Sequence, residues 1–242
     1  MISPSLRSKH ENHPYTCAVI AAAGSGTRMG SEFDNKLFIK INGKPLIFYT
    51  LNAFAESETV DEIILVTKED CFDKLHEIVS KYGFDKKVSQ IIKGGAERQQ
   101  SICNAVEALP DITKYICVHD GARPFITPSI INRVNNCAYE HKASACCVKV
   151  KDTIKKISGD FIKKTVDRET LRSAQTPQCF NLEMYVKALK SAVVNGANFT
   201  DDCQLFEKAG YKVFLCEGSY DNIKVTTKED VGFAEYLIKS KV

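Results

Sequence analysis

Residues 17–30 read CAVIAAAGSGTRMG, an apolar run that leads directly into a glycine-rich loop. The run from Cys17 to Ala22 has no polar position to face water, as expected of a strand buried on both faces of a sheet. In open α/β sheets, ligands bind at the carboxyl ends of the strands, and glycines there let the backbone approach a phosphate closely. The stretch therefore predicts the first strand of an α/β fold, followed by a phosphate-binding loop.

Short apolar runs and stretches of helical period alternate along most of the remaining chain. Further strands are predicted at 62–66, 88–92, 115–118 and 143–150, and apolar residues at spacings of three and four predict helices between the earlier ones. Because crossovers between parallel strands are right-handed, the pattern predicts a doubly wound, mostly parallel, Rossmann-like sheet with helices on both faces. The remaining predicted elements are helices from Pro45, over 182–194, from Asp201 and from Lys228, and a strand at 211–216.

Residues 150–172 interrupt this regularity. Basic and β-branched residues alternate there around Ser158-Gly159-Asp160, which predicts a two-stranded β-arm. A hairpin with so little apolar content is marginally stable alone, so we expect the arm to protrude and pack on a second subunit. Residues 1–15 are predicted to be a flexible N-terminal tail, and residues 16–242 a single domain.

Composition limits the function classes. The 242 residues are 44% hydrophobic and 26% charged, which fits one large globular domain, and a net charge of +3 does not suggest a nucleic-acid-binding protein. No apolar run approaches the roughly 20 residues that span a bilayer, and the first sixteen lack the apolar core of a secretion signal, so a cytoplasmic location is expected. The ten cysteines contain no C-x-x-C pair or clustered Cys/His ligand set, so we predict no metal site built from them.

The glycine loop differs from two common nucleotide-binding patterns. It lacks the G-x-x-x-x-G-K-[ST] sequence of a P-loop, and it misses G-x-G-x-x-G by one residue. The next strand ends in Val66-Thr67-Lys68, where a dinucleotide fold would have an acidic residue for the ribose. Arg28 and Lys36 place two cations near the loop and suit a triphosphate, although both could be ordinary solvated charges.

The loop and four later segments together carry a family resemblance. The loop resembles the nucleotide-binding signature of sugar-phosphate nucleotidylyltransferases. The later segments are GGAERQQS (94–101), VHDGARPF (118–125), TVDR (165–168) with QTPQ (175–178), and DNIKVT (221–226). With these segments, the chain is similar from about residue 15 onward to the 2-C-methyl-D-erythritol 4-phosphate cytidylyltransferase family. That family joins CTP and methylerythritol 4-phosphate, with release of pyrophosphate, in non-mevalonate isoprenoid synthesis.

The resemblance implies a role for each site residue. The catalytic cations are Arg28, Lys36, Arg168 and Lys224. The nucleotide-binding residues are Ala22, Ala23, Gly24, Gly26, Gly95, Ala96, Ser101 and Gly121. The acceptor-binding residues are Asp120, Arg123, Thr153, Arg168, Thr176, Thr200 and Lys224. The resemblance also implies a homodimer whose arm completes the partner's active site, and Mg²⁺ held mainly by the CTP phosphates rather than by a protein metal site.

Elementary chemistry fits this reading. A phosphate monoester is largely a dianion at neutral pH, so the nucleophile needs no general base, and catalysis requires positioning and positive charge. The nearest alternative is a ribitol 5-phosphate cytidylyltransferase, against which the TVDR segment argues. A dinucleotide-dependent oxidoreductase and a catalytically silent binding module are alternatives from other classes, and the second is disfavoured by the presence of Arg28 and Lys36.

Three local features have a simpler reading beside the functional one. His119 is more readily a structural histidine than a base, because its strand neighbour Asp120 points to the opposite face. The adjacent Asp201 and Asp202 suggest a helix cap more than a metal site. Asn35 and Leu37 flank Lys36 where the family usually has Pro and Gln.

Overall fold

The computed structural model describes residues 13–23, 35–95, 97–197 and 199–240. Within these ranges, seven strands form one sheet in the order β11-β7-β10-β6-β1-β4-β5. The hairpins β2–β3 and β8–β9 stand apart from this sheet. The strands are β1 (Thr16–Ala21), β2 (Lys40–Ile41), β3 (Lys44–Pro45), β4 (Glu62–Thr67), β5 (Val88–Lys93), β6 (Tyr115–Asp120), β7 (Ala143–Lys149), β8 (Lys155–Ser158), β9 (Phe161–Thr165), β10 (Arg172–Asn181) and β11 (Phe214–Glu217).

The large sheet is mostly parallel, as predicted. β1 lies between β4 and β6 and is parallel to both, and β5 and β11 add parallel pairs at the two sides. β10 is the exception, because it runs antiparallel to both β6 and β7. The carboxyl ends of β1, β4, β5 and β6 therefore meet at one edge of the sheet, which is where an α/β fold binds its ligand.

Helices cover both faces of the sheet. Alternate residues of β1 belong to different cores: Ala18 and Ile20 pack with α1, α2, α4 and α7, whereas Val19 packs with α3, α5 and α6. This alternation is the two-residue period of a strand buried on both faces. The helices are α1 (Leu46–Glu56), α2 (Phe72–Lys81), α3 (Arg98–Glu107), α4 (Pro128–His141), α5 (Leu182–Val194), α6 (Asp202–Lys208) and α7 (Lys228–Ser240).

Helix α4, strand β10 and the short hairpin β2–β3 were absent from the sequence prediction. Helix α4 begins at Pro128, and the Thr127 side chain caps it by accepting from the Ile130 N–H at 3.3 Å. A threonine cap followed by proline at the first helical position is the signal that could have identified it. Strand β10 was also missed, because its polar sequence and internal proline are unusual for a central strand.

The predicted arm is present as the antiparallel hairpin β8–β9, which turns at Gly159 with φ +56°. Its apolar side chains project away from the chain's own core, and Phe161 is 81% exposed. Exposed apolar residues on a two-stranded hairpin fit the expectation that the arm packs on something outside its own core.

The N-terminal residues nearest the sheet are ordered against it, and the cysteines are free thiols. Residues 13–15 of the predicted tail contact the sheet, since the Tyr15 carbonyl accepts from the Lys114 and Tyr115 N–H groups, while residues 1–12 lie outside the described residues. All ten cysteines fall within the described ranges as free thiols, and eight are buried. No described helix is long and apolar enough to cross a bilayer.

Candidate active site

A cavity of about 560 Å³ opens at the carboxyl ends of β1, β4, β5 and β6. It lies where the first strand and its loop predicted a ligand site. Seven of the predicted site residues line it, from five separate parts of the chain: Ala22, Ala23, Lys36, Gly95, Ser101, Asp120 and Lys224. The structure thus brings part of the predicted nucleotide-binding and acceptor-binding sets to one cavity.

One wall of the cavity is the turn from Gly94 to Ser101. The Ser101 hydroxyl accepts from the Gly95 N–H at 3.0 Å and donates to the Glu97 carbonyl at 3.1 Å, so it closes the turn onto the start of α3. A Cβ on Gly94 would lie 2.9 Å from the Ser101 Oγ and 3.0 Å from the Ala23 Cβ. A side chain at position 94 would therefore crowd the Ser101 hydroxyl and the end of β1, so glycine suits this close approach.

Lys36 enters the cavity from a short 3₁₀ turn, Lys36–Phe38. The Asn35 side chain caps this turn by accepting from the Leu37 N–H at 3.0 Å, and Leu37 itself is buried in the core. The two residues that depart from the usual family pattern thus stabilise the turn that carries the lysine.

The opposite wall carries an ion-pair network centred on Asp120, the last residue of β6. Its carboxylate oxygens lie 3.1 Å from the Lys224 Nζ and 3.0 Å from the Arg123 Nε. Burial alone would raise the pKa of Asp120, but Lys224 and Arg123 outweigh it and lower that pKa below its usual range. Asp120 is therefore ionised at neutral pH and fixes the two cations.

The segment that carries Lys224 is held by buried backbone contacts. Asn222 is fully buried, and its side chain donates to the Thr176 carbonyl at 2.9 Å, while its own carbonyl accepts from the Arg123 guanidinium at 2.9 Å. On the other side of the lysine, the Val225 N–H donates to the Ala122 carbonyl at 2.9 Å. The Lys224 ammonium is thus presented from a fixed backbone.

Thr176 supports the network from behind. The pairing of β10 with β7 is interrupted between Ala174 and Gln178, and in this interruption the Thr176 hydroxyl accepts from the Asp120 N–H at 3.0 Å. The same hydroxyl lies 3.0 Å from His119 Nδ1. His119 is fully buried, and burial lowers its pKa to about 3, so the ring is neutral at physiological pH. These contacts favour the structural reading of His119.

Acid should destabilise the protein through His119. Between the ordinary histidine pKa near 6.5 and the folded value of about 3, the unfolded chain binds a proton that the folded chain does not. The unfolding free energy should therefore fall by about 1.4 kcal/mol per pH unit as pH drops through this window. We expect His119→Gln to flatten the decrease in unfolding midpoint between pH 7 and pH 5 measured by thermal denaturation.

The range above pH 5 isolates the histidine, because the depressed pKa of Asp120 affects stability only below the unfolded aspartate pKa of about 3.9. The matched control is His76→Gln, since His76 is an exposed histidine on α2. An unchanged pH dependence in His119→Gln would contradict the buried neutral ring.

Several predicted site residues lie elsewhere. Arg168 and Thr153 are exposed in the arm, where the Arg168 guanidinium donates to the Lys151 carbonyl at 2.8 Å. Thr200 is exposed beside the start of α6. Gly121 packs behind the cavity wall, with its N–H bonded to the Ala21 carbonyl and its carbonyl bonded to the Thr50 hydroxyl. The predicted residues Gly24, Gly26, Arg28 and Ala96 lie outside the described residues.

Sequence reasoning missed the pairing of Arg98 with Asp202. Arg98 lines the cavity at the first position of α3, and its guanidinium donates to both carboxylate oxygens of Asp202, which is fully buried. The neighbouring Asp201 caps α6 by accepting from the Gln204 N–H at 3.0 Å. The helix-cap reading was thus correct for Asp201, whereas the partner of Asp202 lies 104 positions away and leaves no local signal.

The described residues form no group of three or more His, Cys, Asp or Glu that could hold a metal ion. Among the residues that the structure describes, the carboxylates that line the cavity are those of Glu97 and Asp120, and Asp120 already pairs with two cations. This donor set suits an ion that arrives on a ligand's phosphates and keeps several waters, as Mg²⁺ commonly does.

Comparison with known proteins places this geometry in a family. The family model described as IspD, 2-C-methyl-D-erythritol 4-phosphate cytidylyltransferase, matches residues 16–240. The chain is 46% identical over 220 residues to the cytidylyltransferase of that name from Bacillus cytotoxicus, covering 91% of this chain and 96% of the relative. It is 42% identical over 226 residues to the one from Clostridium novyi, covering 93% and 96%.

Solved structures agree in fold. The 4-diphosphocytidyl-2C-methyl-D-erythritol synthase of Anaerococcus prevotii superimposes with a TM-score of 0.83 at 32% identity, covering 93% of this chain and 98% of that one. The 2-C-methyl-D-erythritol 4-phosphate cytidylyltransferase of Thermus thermophilus gives a TM-score of 0.76 at 29% identity, with 93% and 99% covered. The shared architecture extends over nearly the whole length of each protein.

Proposed function

The chain belongs to the 2-C-methyl-D-erythritol 4-phosphate cytidylyltransferase family, and from this premise we propose how its residues divide the work of the reaction. The enzyme joins CTP and methylerythritol 4-phosphate to give the CDP-alcohol and pyrophosphate, a step of isoprenoid biosynthesis. The matched relatives favour this acceptor over ribitol 5-phosphate, and family membership sets aside the oxidoreductase and the silent module.

The nucleotide occupies the side of the cavity formed by the end of β1 and the turn before α3. Backbone groups of Ala22 and Ala23, with Gly95 and Ser101, recognise the cytosine, since an edge lined by backbone polar groups and one hydroxyl can read a base by its donors and acceptors. Gly24, Gly26 and Ala96 extend this surface by resemblance. Gly121 contributes by supporting the turn after β6.

Charge stabilisation carries the chemical step. The acceptor phosphate is already a nucleophilic dianion, so the barrier lies in bringing it against the α-phosphorus of a triphosphate. Lys224, oriented by Asp120, holds the acceptor phosphate from the cavity wall, with Arg123 beside it by resemblance. Thr176 supports this network from behind, and Thr200 belongs to the acceptor pocket by resemblance. Lys36, with Arg28, binds the triphosphate and stabilises the negative charge that develops as pyrophosphate departs.

Mg²⁺ would accompany CTP, held mainly by the phosphates, and the described carboxylates that could take part are Asp120 and Glu97, which line the cavity. When bound, the ion would neutralise phosphate charge. The proposed binding of the reactants by the lysine and arginine side chains does not depend on which carboxylate contacts Mg²⁺.

The arm completes the site of a partner subunit. Arg168 and Thr153 are exposed on it, as are the apolar side chains that would pack on the partner. In this homodimer, each cavity receives Arg168 and Thr153 from the other chain, which adds a cation to the acceptor end of the site. A cytoplasmic location stays a prediction from composition.

The observation that carries the proposal is the Lys224–Asp120–Arg123 network facing the Gly95–Ser101 turn across one cavity. The test is pyrophosphate release from CTP and Mg²⁺, with methylerythritol 4-phosphate and ribitol 5-phosphate offered separately. We expect release with methylerythritol 4-phosphate and none with ribitol 5-phosphate. Arg28→Ala controls for contaminating activity. Pyrophosphate release with ribitol 5-phosphate alone would change the assigned acceptor to ribitol 5-phosphate. No release with either acceptor would overturn the proposal.

A further inference from the structure

The Arg98–Asp202 pair lies at the cavity but has no part in the phosphate chemistry described above. Asp202 is fully buried, and its carboxylate accepts from the Arg98 guanidinium and, at 2.5 Å, from the Tyr185 hydroxyl. The Arg98 side chain is 33% exposed and lines the cavity. A buried carboxylate that is fully hydrogen-bonded in this way fixes the arginine in one orientation.

The Arg98 guanidinium has N–H donors that Asp202 does not use. Arginine carries five N–H donors in a rigid plane, and Asp202 accepts from the two terminal nitrogens. Three N–H groups remain, and no described residue accepts a hydrogen bond from them. The guanidinium carbon also lies 6.0 Å from the centroid of the Phe199 ring. Arg98 is thus an oriented donor group at the cavity wall.

The position and charge of the pair indicate what it binds. Arg98 and Ser101 are three residues apart on α3 and therefore lie on the same face, so the guanidinium adjoins the turn assigned to the base. The buried Asp202 carboxylate neutralises the guanidinium charge and would disfavour a nearby polyanion. An ion pair with spare donors suits neutral oxygen acceptors, such as a base carbonyl or ribose hydroxyls.

We propose that Arg98 positions the nucleoside of CTP by donating to its neutral oxygens, and that Asp202 acts through Arg98 as a positioning residue. This inference rests on the proposed function, because it takes CTP as the ligand. The pair also ties the start of α3, beside the turn assigned to the base, to the start of α6, beside Thr200.

The test measures binding rather than turnover. Cytidine and pyrophosphate are used as competitive inhibitors against CTP, since the first carries only the nucleoside and the second only the phosphate chemistry. Arg98→Lys is the preferred variant, because it keeps a cation beside the buried carboxylate and removes the planar fork. Asp202→Asn tests the positioning residue, and Tyr185→Phe removes one hydrogen bond to Asp202 while leaving the ion pair.

We expect Arg98→Lys to weaken cytidine inhibition by about tenfold or more, as loss of charge-assisted hydrogen bonds commonly does, and to leave pyrophosphate inhibition unchanged. Asp202→Asn should shift the same constant in the same direction, and Tyr185→Phe by less. The matched control is Arg133→Lys, an arginine whose guanidinium donates to the Glu217 carbonyl and does not line the cavity.

Three results would overturn the inference while leaving the proposed function intact. Weakened pyrophosphate inhibition with unchanged cytidine inhibition would place Arg98 on the phosphates. A shift for CMP without one for cytidine would place it on the α-phosphate. Lower thermal stability with both inhibition constants unchanged would make the pair purely structural. Wild-type protein that turned over no CTP would instead overturn the proposed function as well.

Discussion

Lys224→Ala should lower kcat/KM for methylerythritol 4-phosphate by about 100- to 1000-fold, the usual cost of removing a positioned donor from a developing charge. The Lys224 side chain is 43% exposed and lines the cavity, and its ammonium lies 3.1 Å from the Asp120 carboxylate. Without it, the acceptor phosphate loses a cation at the moment when negative charge gathers around the α-phosphorus. Steady-state pyrophosphate release with CTP and Mg²⁺ measures the loss.

The fold should survive this substitution, since Asp120 keeps Arg123 as a partner and the backbone contacts of Asn222 and Val225 do not involve the lysine side chain. The matched control is Lys187→Ala. Lys187 is also exposed and paired with one carboxylate, that of Glu183 at 2.6 Å, but it lies on α5 outside the cavity. Near-normal kcat/KM in Lys224→Ala would remove the lysine from the chemical step.

Two inactive variants should restore activity when mixed, if the arm completes the partner's site. Lys224→Ala damages the cavity of its own chain, whereas Arg168→Ala damages the arm that serves the other chain. A heterodimer of the two has one site with both defects and one site with neither. Random exchange makes half the dimers heterodimers, so the mixture should recover about one quarter of wild-type activity.

The measurement is pyrophosphate release before and after subunit exchange, with each variant alone as the baseline. Mixing Lys224→Ala with Lys36→Ala is the control, because both residues line the cavity of their own chain and no intact site would form. Absence of recovery in the first mixture, with exchange verified by differently tagged chains, would mean that Arg168 serves its own chain. Full activity of a monomer would remove the shared site altogether.

The sequence predicted those parts of the fold that have a clear pattern of apolar residues. β1 and β4 were predicted because each is a continuous buried run, and the carboxyl edge of the sheet followed from their direction. β10 was missed because Gln175, Thr176 and Gln178 are polar, although each is at most 7% exposed and hydrogen-bonded inside the fold. A polar residue can be buried when a hydrogen-bond partner is buried with it. Because these partners are distant in the sequence, a local sequence pattern does not reveal them.

The site divides in the same way. The segments around Gly95, Asp120 and Lys224 could be assigned to one cavity because each carries a motif that the family resemblance interprets. The geometry of these segments relative to one another could not be predicted, since Asp120 and Lys224 are 104 positions apart in the sequence. Arg98 lies in the 94–101 segment and Asp202 in the predicted helix start, but neither was assigned a functional role, and only the folded chain brings them together.

The arm is inserted between two neighbouring strands of the sheet. β7 and β10 are hydrogen-bonded partners, and Lys149 stands directly opposite Arg172 at the point where the arm leaves and returns. Entry and exit therefore lie a few ångströms apart, a gap that an ordinary hairpin turn can close. The arm is a modular appendage: its length and sequence can change without altering the register of the sheet. In the homodimer proposed above, the subunit interface could thus diverge independently of the catalytic scaffold, and swapping arms between relatives would change which chains pair.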